Sequence, residues 1–436
     1  MQKISVRNAI AVSLGAIIGA GIFVLSGTAV ALAGPYSLVA FILVGIVALI
    51  LAMIMSELSS IMPKSKGAAY SFAYNAFGSE IGFITGISLF ASFATAIGAI
   101  ALGFGSYLAS LLELSAGFGI PFAICLIIAL TIVNLFGINK AAKTDFVLVS
   151  VKLAILIIFA MFAIFFALKS GSSAVATNFS VKGYALPSIF AASVAIFFAY
   201  SGFQTVTTFS DRVEGGSEGV KKAIVGSVAL SLIVYVLIDV ALLMLAPANT
   251  YKIVADPLSF ALTAAKAPKA LSIIVDIGAL IATTSATLAM ILSSGRIAYQ
   301  ISKDGLLPKP LRSYDAKRDV PTNGLLLAAF IGIVSLFAGN IYVIAAISNF
   351  GLLISYLITC LAQMHFRRFT AKKSAIRMPF YPYPTIVAVL LLLTFLFGMP
   401  REALTIGNIL ILSLLILYYL FREFKKKKPV KIRIFE

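Results

Sequence analysis

Apolar stretches long enough to cross a lipid bilayer recur along this sequence, and they constrain its fold more than any other feature. A spanning helix needs about 20 mostly apolar residues, because each residue rises ~1.5 Å and the hydrocarbon core is ~30 Å thick. Twelve such stretches are read at 8–33, 36–56, 81–111, 119–138, 146–168, 187–210, 223–246, 270–296, 323–339, 341–365, 382–399 and 404–422. With short loops they use up nearly all of the 436 residues and leave no room for a soluble domain. Only 11% of the residues are charged, against roughly 25% in soluble domains. The expected fold class is an all-α membrane protein of twelve transmembrane helices.

A net charge of +18 would suit a nucleic-acid binder, but its placement argues otherwise. Of the 34 Lys and Arg residues, 27 fall on the side of the N-terminus and 6 on the other, and Lys152 lies inside a span. Basic loops stay in the cytoplasm. The pattern predicts a multi-pass protein of the cytoplasmic membrane with both termini inside. The run Lys425–Lys428 then begins a basic tail beside anionic lipid. Cys125 and Cys360 both fall inside spans and are expected to be free core thiols. The single histidine, His365, sits at a span end, which argues against a metal site and a histidine proton relay. No cofactor is expected. Lys3, Arg7, an apolar stretch and Ala31-Leu32-Ala33 imitate a cleaved signal, but the stretch is too long and further spans follow at once.

Five spans precede the 169–186 loop and five lie between it and the 366–381 loop. An odd count makes the second unit enter the membrane in the opposite sense. This predicts an inverted 5+5 repeat, with units 1–168 and 187–365, helices 11 and 12 at 382–422, and a tail at 423–436. In such repeats the solute lies between discontinuous helices near the midplane. Glycine-rich stretches occupy the first span of each unit. Span 1 carries Gly15-Ala16-Ile17-Ile18-Gly19-Ala20-Gly21-Ile22-Phe23, and span 6 carries Phe197-Phe198-Ala199-Tyr200-Ser201-Gly202-Phe203-Gln204. Gly15 and Gly19 alone would equally suit a small-residue packing face. The mirrored position in span 6 favours two broken helices. Unpaired peptide groups cost several kcal/mol in lipid and survive only around a solvated or ligand-filled cavity. Freed N–H groups at a half-helix start attract an anion, and freed carbonyls attract an ammonium. An α-amino acid presents one of each.

At these residues the chain resembles the amino acid–polyamine–organocation superfamily, whose members share the leucine-transporter fold. Three stretches carry the resemblance: Gly19-Ala20-Gly21-Ile22-Phe23; Glu57-Leu58-Ser59-Ser60-Ile61-Met62-Pro63-Lys64 with Gly67-Ala68-Ala69-Tyr70 and Ala76-Phe77-Gly78; and Gly295-Arg296-Ile297-Ala298-Tyr299 with Lys303-Asp304-Gly305-Leu306-Leu307-Pro308. The resemblance implies that a substrate carboxylate meets the N–H groups of Ala20, Gly21 and Ile22. It implies that the ammonium meets carbonyls of Ile17, Phe198 and Ser201. Gly202, Phe203 and Gln204 complete the unwound part of span 6, and Phe198 or Phe203 would be an aromatic gate. The chain departs from the family pattern at Asp211-Arg212, at Gly215-Gly216 and at Gln204, where an acid or Asn is usual.

Lys152, within Val147–Phe159, costs ~2.5–3.5 kcal/mol at a helix centre unless it snorkels. Some family members resemble this chain in placing a lysine amine where sodium-coupled relatives place sodium. Its expected neighbours are the broken part of span 1 and the hydroxyls of Thr284 and Ser285. Charged, the amine donates up to three hydrogen bonds, and neutral, it releases them. This predicts proton coupling, or sodium-independent exchange or uniport. Asp276 is expected to be hydrated near the outer surface, and Asp239 to pair with a polar neighbour. No acid lies in the centre of spans 3 or 10, which favours a neutral, small to medium side chain on the solute.

The function expected is secondary transport of an amino acid, with polyamine or cationic amino-acid exchange as the alternative. The sequence has no phosphate-binding loop, so gradients would drive it. An intramembrane enzyme would need clustered His, Asp, Glu or Cys at depth. A receptor would add a soluble signalling segment. The sequence leaves the oligomeric state open.

Overall fold

The structure, a computed structural model, describes residues 4–62, 69–137, 141–204, 206–207, 213–369 and 374–425. Within these, sixteen α-helices follow in order: α1 (Val6–Ile17), α2 (Ala20–Ala33), α3 (Ser37–Ile61), α4 (Ala69–Phe77), α5 (Ser79–Leu111), α6 (Gly119–Leu135), α7 (Ala141–Ser170), α8 (Ser172–Asn178), α9 (Ser188–Tyr200), α10 (Gly216–Leu245), α11 (Pro257–Ala264), α12 (Lys269–Lys303), α13 (Thr322–Ser335), α14 (Ile341–Phe369), α15 (Tyr383–Phe397) and α16 (Arg401–Lys425). Pro63-Lys64 and Gly67-Ala68 of the second motif, Asp211-Arg212, and the basic run beyond Lys425 lie outside the described residues.

Each of the twelve apolar stretches holds a helix, yet only eight runs among the described residues are long and apolar enough to cross a membrane by themselves. The difference has three sources. The stretch 8–33 is divided between α1 and α2, and α2 continues with little interruption into α3 as the run Gly21–Ile61. The stretch 187–210 is α-helical only to Tyr200, with 3₁₀ turns at 203–204 and 206–207. The helices α13 and α15 are short. The outward faces suit lipid. On α7, Met161, Phe165 and Leu168 are 63%, 62% and 80% exposed and stand four and three residues apart, on one side of the helix. In water such a stripe would cost about 25 cal/mol per Å². Hydrocarbon removes that cost.

Two sets of helices pack together. In one, α10 lies against α3 and α1, and α9 lies against α2 and α3. In the other, α5 is the hub for α6, α12, α13 and α14. The faces are joined closely by small residues. Gly351 of α14 sits so near Ser88 of α5 that a Cβ there would lie 2.2 Å from the Ser88 carbonyl oxygen. Buried polar side chains mostly find partners, as the apolar interior demands. Ser37 Oγ donates to Asp239 Oδ2 at 2.8 Å, which supplies the polar neighbour expected of Asp239. Asp276 is 3% exposed and accepts from Ser259 Oγ at 2.7 Å, so a hydroxyl from α11 takes the place of the expected hydration. Cys125 and Cys360 are both free, but Cys125 is exposed on α6 and is no core thiol.

Asp256 precedes the first residue of α11, without a side-chain cap bond, in the connection between α10 and α12, and burial lifts its carboxyl from the ordinary 3.8 to about 6. An acid with a raised folded-state pKa favours the folded state while protonated. Its contribution is complete below 3.8 and is lost as the pH rises through about 6. The thermal midpoint of the purified protein is expected to fall by roughly 1–3 °C across that window. Asp256→Asn should flatten the profile, and parallel profiles for the two proteins would count against this assignment.

Candidate functional site

The site is built where α1 and α9 both stop in the middle of apolar stretches. Helix α1 closes with the Ile18 N–H donating to Leu14 O at 2.6 Å, and Ile18 (ψ 58°) and Gly19 (φ −97°, ψ −125°) then leave helical dihedrals. Helix α2 begins at Ala20 with no side-chain cap. The N–H groups of Ala20, Gly21 and Ile22 are therefore the orphan donors of a first turn. Helix α9 ends at Tyr200, followed by extended Ser201 (φ −62°, ψ 143°) and by Gly202 at φ +119°. That conformation suits only glycine.

The two interruptions touch through bare backbone. A Cβ on Gly21 would lie 2.2 Å from Ala199 Cα, and one on Gly202 would lie 2.7 Å from Ala16 O. The first turn of α2 is thus pressed against the last turn of α9, and the unwound segment after α9 against the last turn of α1.

One side chain ties both helix ends. Tyr235 of α10 is fully buried, and its hydroxyl lies 2.7 Å from Ile17 O and 2.8 Å from Ala199 O. A hydroxyl has one proton to give, so it satisfies one carbonyl at a time. Of the carbonyls read from the sequence, Ile17 O is at this junction. Phe198 O is instead taken locally, by the Ser201 N–H at 3.1 Å and by Ser201 Oγ at 2.7 Å. The carbonyl beside Ile17 O at the Tyr235 hydroxyl is Ala199 O. Sequence reasoning missed Tyr235. The only available signal was a phenol in the middle of an apolar stretch, whose polar tip needs a partner when buried.

Lys152 of α7 is 1% exposed and donates from Nζ to Gly15 O at 3.4 Å, within the last turn of α1. It lines a cavity of about 130 Å³ together with Gly15, Ala16, Gly202, Phe93 and Ser285. Ser285 Oγ donates to Ala282 O at 3.0 Å, and half-buried Thr284 does not line the cavity. Of the two α12 hydroxyls expected beside the amine, the structure brings only Ser285 to its cavity. Phe198 and Phe203 are 3% and 1% exposed, and the Phe203 ring lies against Tyr356 of α14 at 5.7 Å. Gln204 Oε1 accepts from the Gly202 N–H and from Tyr356 Oη, both at 3.0 Å. The amide thus replaces a lost helical partner of Gly202. Among the described residues no group of three or more His, Cys, Asp or Glu side chains is placed to hold a metal ion.

Comparison with known proteins supplies the family. The chain is 28% identical to the methylthioribose transporter of Bacillus subtilis, over 89% of this chain and 86% of that one. It is 27% identical to a branched-chain amino acid permease of Lactococcus lactis, over 98% and 96% of the two chains. A vacuolar cationic amino acid transporter of Arabidopsis thaliana is 27% identical over 81% of this chain and 61% of its own length. Among solved structures, a manganese transporter of Eremococcus coleocola superposes with a TM-score of 0.60 over 95% of this chain and 93% of that one, at 14% identity, and so shares the fold. The family model described as amino acid permease matches residues 8–431, and the chain therefore belongs to the amino acid permease family of the amino acid–polyamine–organocation superfamily.

Proposed function

We propose that the chain carries a neutral amino acid across the cytoplasmic membrane by alternating access, with both termini in the cytoplasm. The observation that carries this reading is the junction of the two interrupted helices. Orphan N–H groups of Ala20, Gly21 and Ile22 face the carboxylate, and the carbonyls of Ile17 and Ala199, bridged by Tyr235, take the ammonium. The twelve helices group as inverted units 1–168 and 187–365, followed by helices at 382–422. The helices α1, α2, α3, α9 and α10 rock against α5, α6, α12 and α13. Phe203, already seated on Tyr356, closes over the solute from one side.

Coupling runs through Lys152. Its ammonium grips the last turn of α1 at Gly15 O, and Ser285 shares its cavity. Proton loss would release that turn, so transport is proton-coupled or sodium-independent. The absence of acids in the centres of α5 and α14 favours a neutral side chain, in line with the branched-chain permease among the relatives. A second reading, cationic amino-acid exchange, is favoured by the plant relative. The test is uptake of labelled leucine by purified protein in liposomes, at two pH values. Competitors would be all twenty amino acids, spermidine and methylthioribose. Competition by neutral amino acids without sodium is the expected result. Competition by arginine and spermidine alone would replace this reading with the second, and competition by none of the twenty would end both.

A further inference from the structure

The polar side chains of α14 form a line. Asn349, Tyr356, Gln363 and Arg367 are spaced 7, 7 and 4 residues apart. That spacing keeps them within about 40° of one another around a 3.6-residue helix. Asn349 Nδ2 donates to Val194 O of α9 at 2.5 Å. Tyr356 Oη donates to Gln204 Oε1 in the unwound segment. Gln363 and Arg367 both reach Glu57, near the end of α3. These partners belong to α3, α9 or the unwound segment, and the far end of the line is also held from α15, where Thr385 Oγ1 donates to Gln363 Oε1 at 2.7 Å. The flank of α14 against α5 carries Ser348, Gly351 and Ser355, and the two serine hydroxyls bond to the carbonyls of Ser92 and Thr85 at 2.9 and 3.2 Å, with Ser348 Oγ also 3.3 Å from Ser92 Oγ.

Glu57 is 1% exposed. Its Oε1 accepts from Arg367 Nε at 2.6 Å. Its Oε2 accepts from Arg367 Nη2 at 2.8 Å, Gln363 Nε2 at 2.6 Å and the Met378 N–H at 3.2 Å. The guanidinium also lies 4.1 Å from the centre of the Tyr381 ring, on the chain leading to α15. A two-pronged, charge-assisted pair fixes angle as well as distance. It holds α14 about 16 Å, or three turns, from Tyr356. A helix transmits that setting along its axis. The Tyr356 hydroxyl depends on it, because a neutral hydrogen bond at 3.0 Å weakens steeply when stretched by about half an ångström.

We infer that Glu57 is a positioning residue for the substrate site: by seating Arg367 and Gln363 it sets the height of α14, and so the grip of Tyr356 on Gln204 and Gly202. This rests on the transport reading above. It also gives the connection from α14 to α15 a task, since Met378 and Tyr381 complete the seat of the ion pair. If the pair were only a staple, its loss would lower the yield of folded protein and leave affinity alone.

A double-mutant cycle on the full chain in liposomes separates the two. Glu57→Gln keeps the shape and removes the charge. Tyr356→Phe keeps the ring on Phe197 and Phe203 and removes the hydroxyl. Each single change is expected to raise KM for the transported amino acid about fivefold, with kcat within about twofold, and the double variant should match Tyr356→Phe alone. Factors that multiply in the double variant, or an unchanged KM in Glu57→Gln, would overturn the inference. Should Glu57→Gln yield no folded protein, Gln363→Met takes its place in the cycle. An inactive wild type in the same vesicles would sink the transport reading itself, whereas an active wild type with multiplying factors sinks only the role of Glu57.

Discussion

Lys152→Ala is expected to cut uptake by between about tenfold and a hundredfold while the protein still folds and inserts. The amine is 1% exposed and is directed at Gly15 O, in the last turn of α1 before it stops at Ile17. A helix end carries carbonyls without partners, and a cation there both bonds to them and opposes the negative end of the helix dipole. Alanine removes the donor and leaves space at the cavity, but no group of comparable reach. An unsatisfied buried carbonyl costs about 1–3 kcal/mol, and 1.4 kcal/mol is a factor of ten, which sets the range given. The last turn of α1 would then lose its definition just where the unwound segment after α9 rests on Ala16. Initial uptake rates across a pH gradient are the measurement. Full uptake with an intact pH dependence would remove Lys152 from the coupling mechanism.

The second large effect belongs to Tyr235→Phe. The ring would stay packed between Tyr200 and Phe41, with centroids 5.0 and 6.2 Å away, so the fold has no reason to change. What disappears is the hydroxyl proton shared by Ile17 O and Ala199 O. Each carbonyl ends a helix that has no further residue to supply a donor. On the proposed reading these carbonyls and the phenol oxygen together receive the ammonium of the substrate. KM is expected to rise about tenfold, corresponding to one hydrogen bond to a charged group at about 1.5 kcal/mol, with a smaller change in kcat. Saturation curves for the two proteins in matched liposomes decide the matter. Superimposable curves would show that the hydroxyl takes no part in binding.

The helices themselves were legible in the sequence because a bilayer leaves the chain few alternatives, and continuous apolar runs are its direct signature. Lys152 was legible for the same reason, as a charge where charges are costly. Gly19, Gly21 and Gly202 marked the interruptions, since glycine in the middle of a span needs a reason. What the sequence did not disclose are the contacts made by ordinary-looking residues. Tyr235 is one of 16 tyrosines, and nothing local says that its hydroxyl spans two helix ends 182 residues apart. Glu57 and Arg367 are 310 residues apart, joined only by tertiary packing. That Tyr235 meets Ala199 O while Phe198 O bonds to Ser201 depends on how Ser201 folds back on its own turn, a matter of dihedral angles. Thr284 and Ser285 are neighbours in sequence, but on a helix they point about 100° apart, and the face that lines the cavity with Lys152 runs through Ser285, Ala286 and Ala289 and leaves Thr284 out.

The bare contacts of Gly21 on Ala199 and of Gly202 on Ala16 also limit how this carrier can diversify. With main chain against main chain, those four positions have no spare volume, and enlarging any of them wedges the crossing apart before it alters what fits. On the proposed reading, new solute preferences must therefore be acquired on the surrounding walls, where side chains of α5, α12 and α14 can trade bulk, while the zwitterion grip stays common to every variant. A library randomised at the crossing should return few working carriers, and one randomised on the walls should return many with shifted tastes.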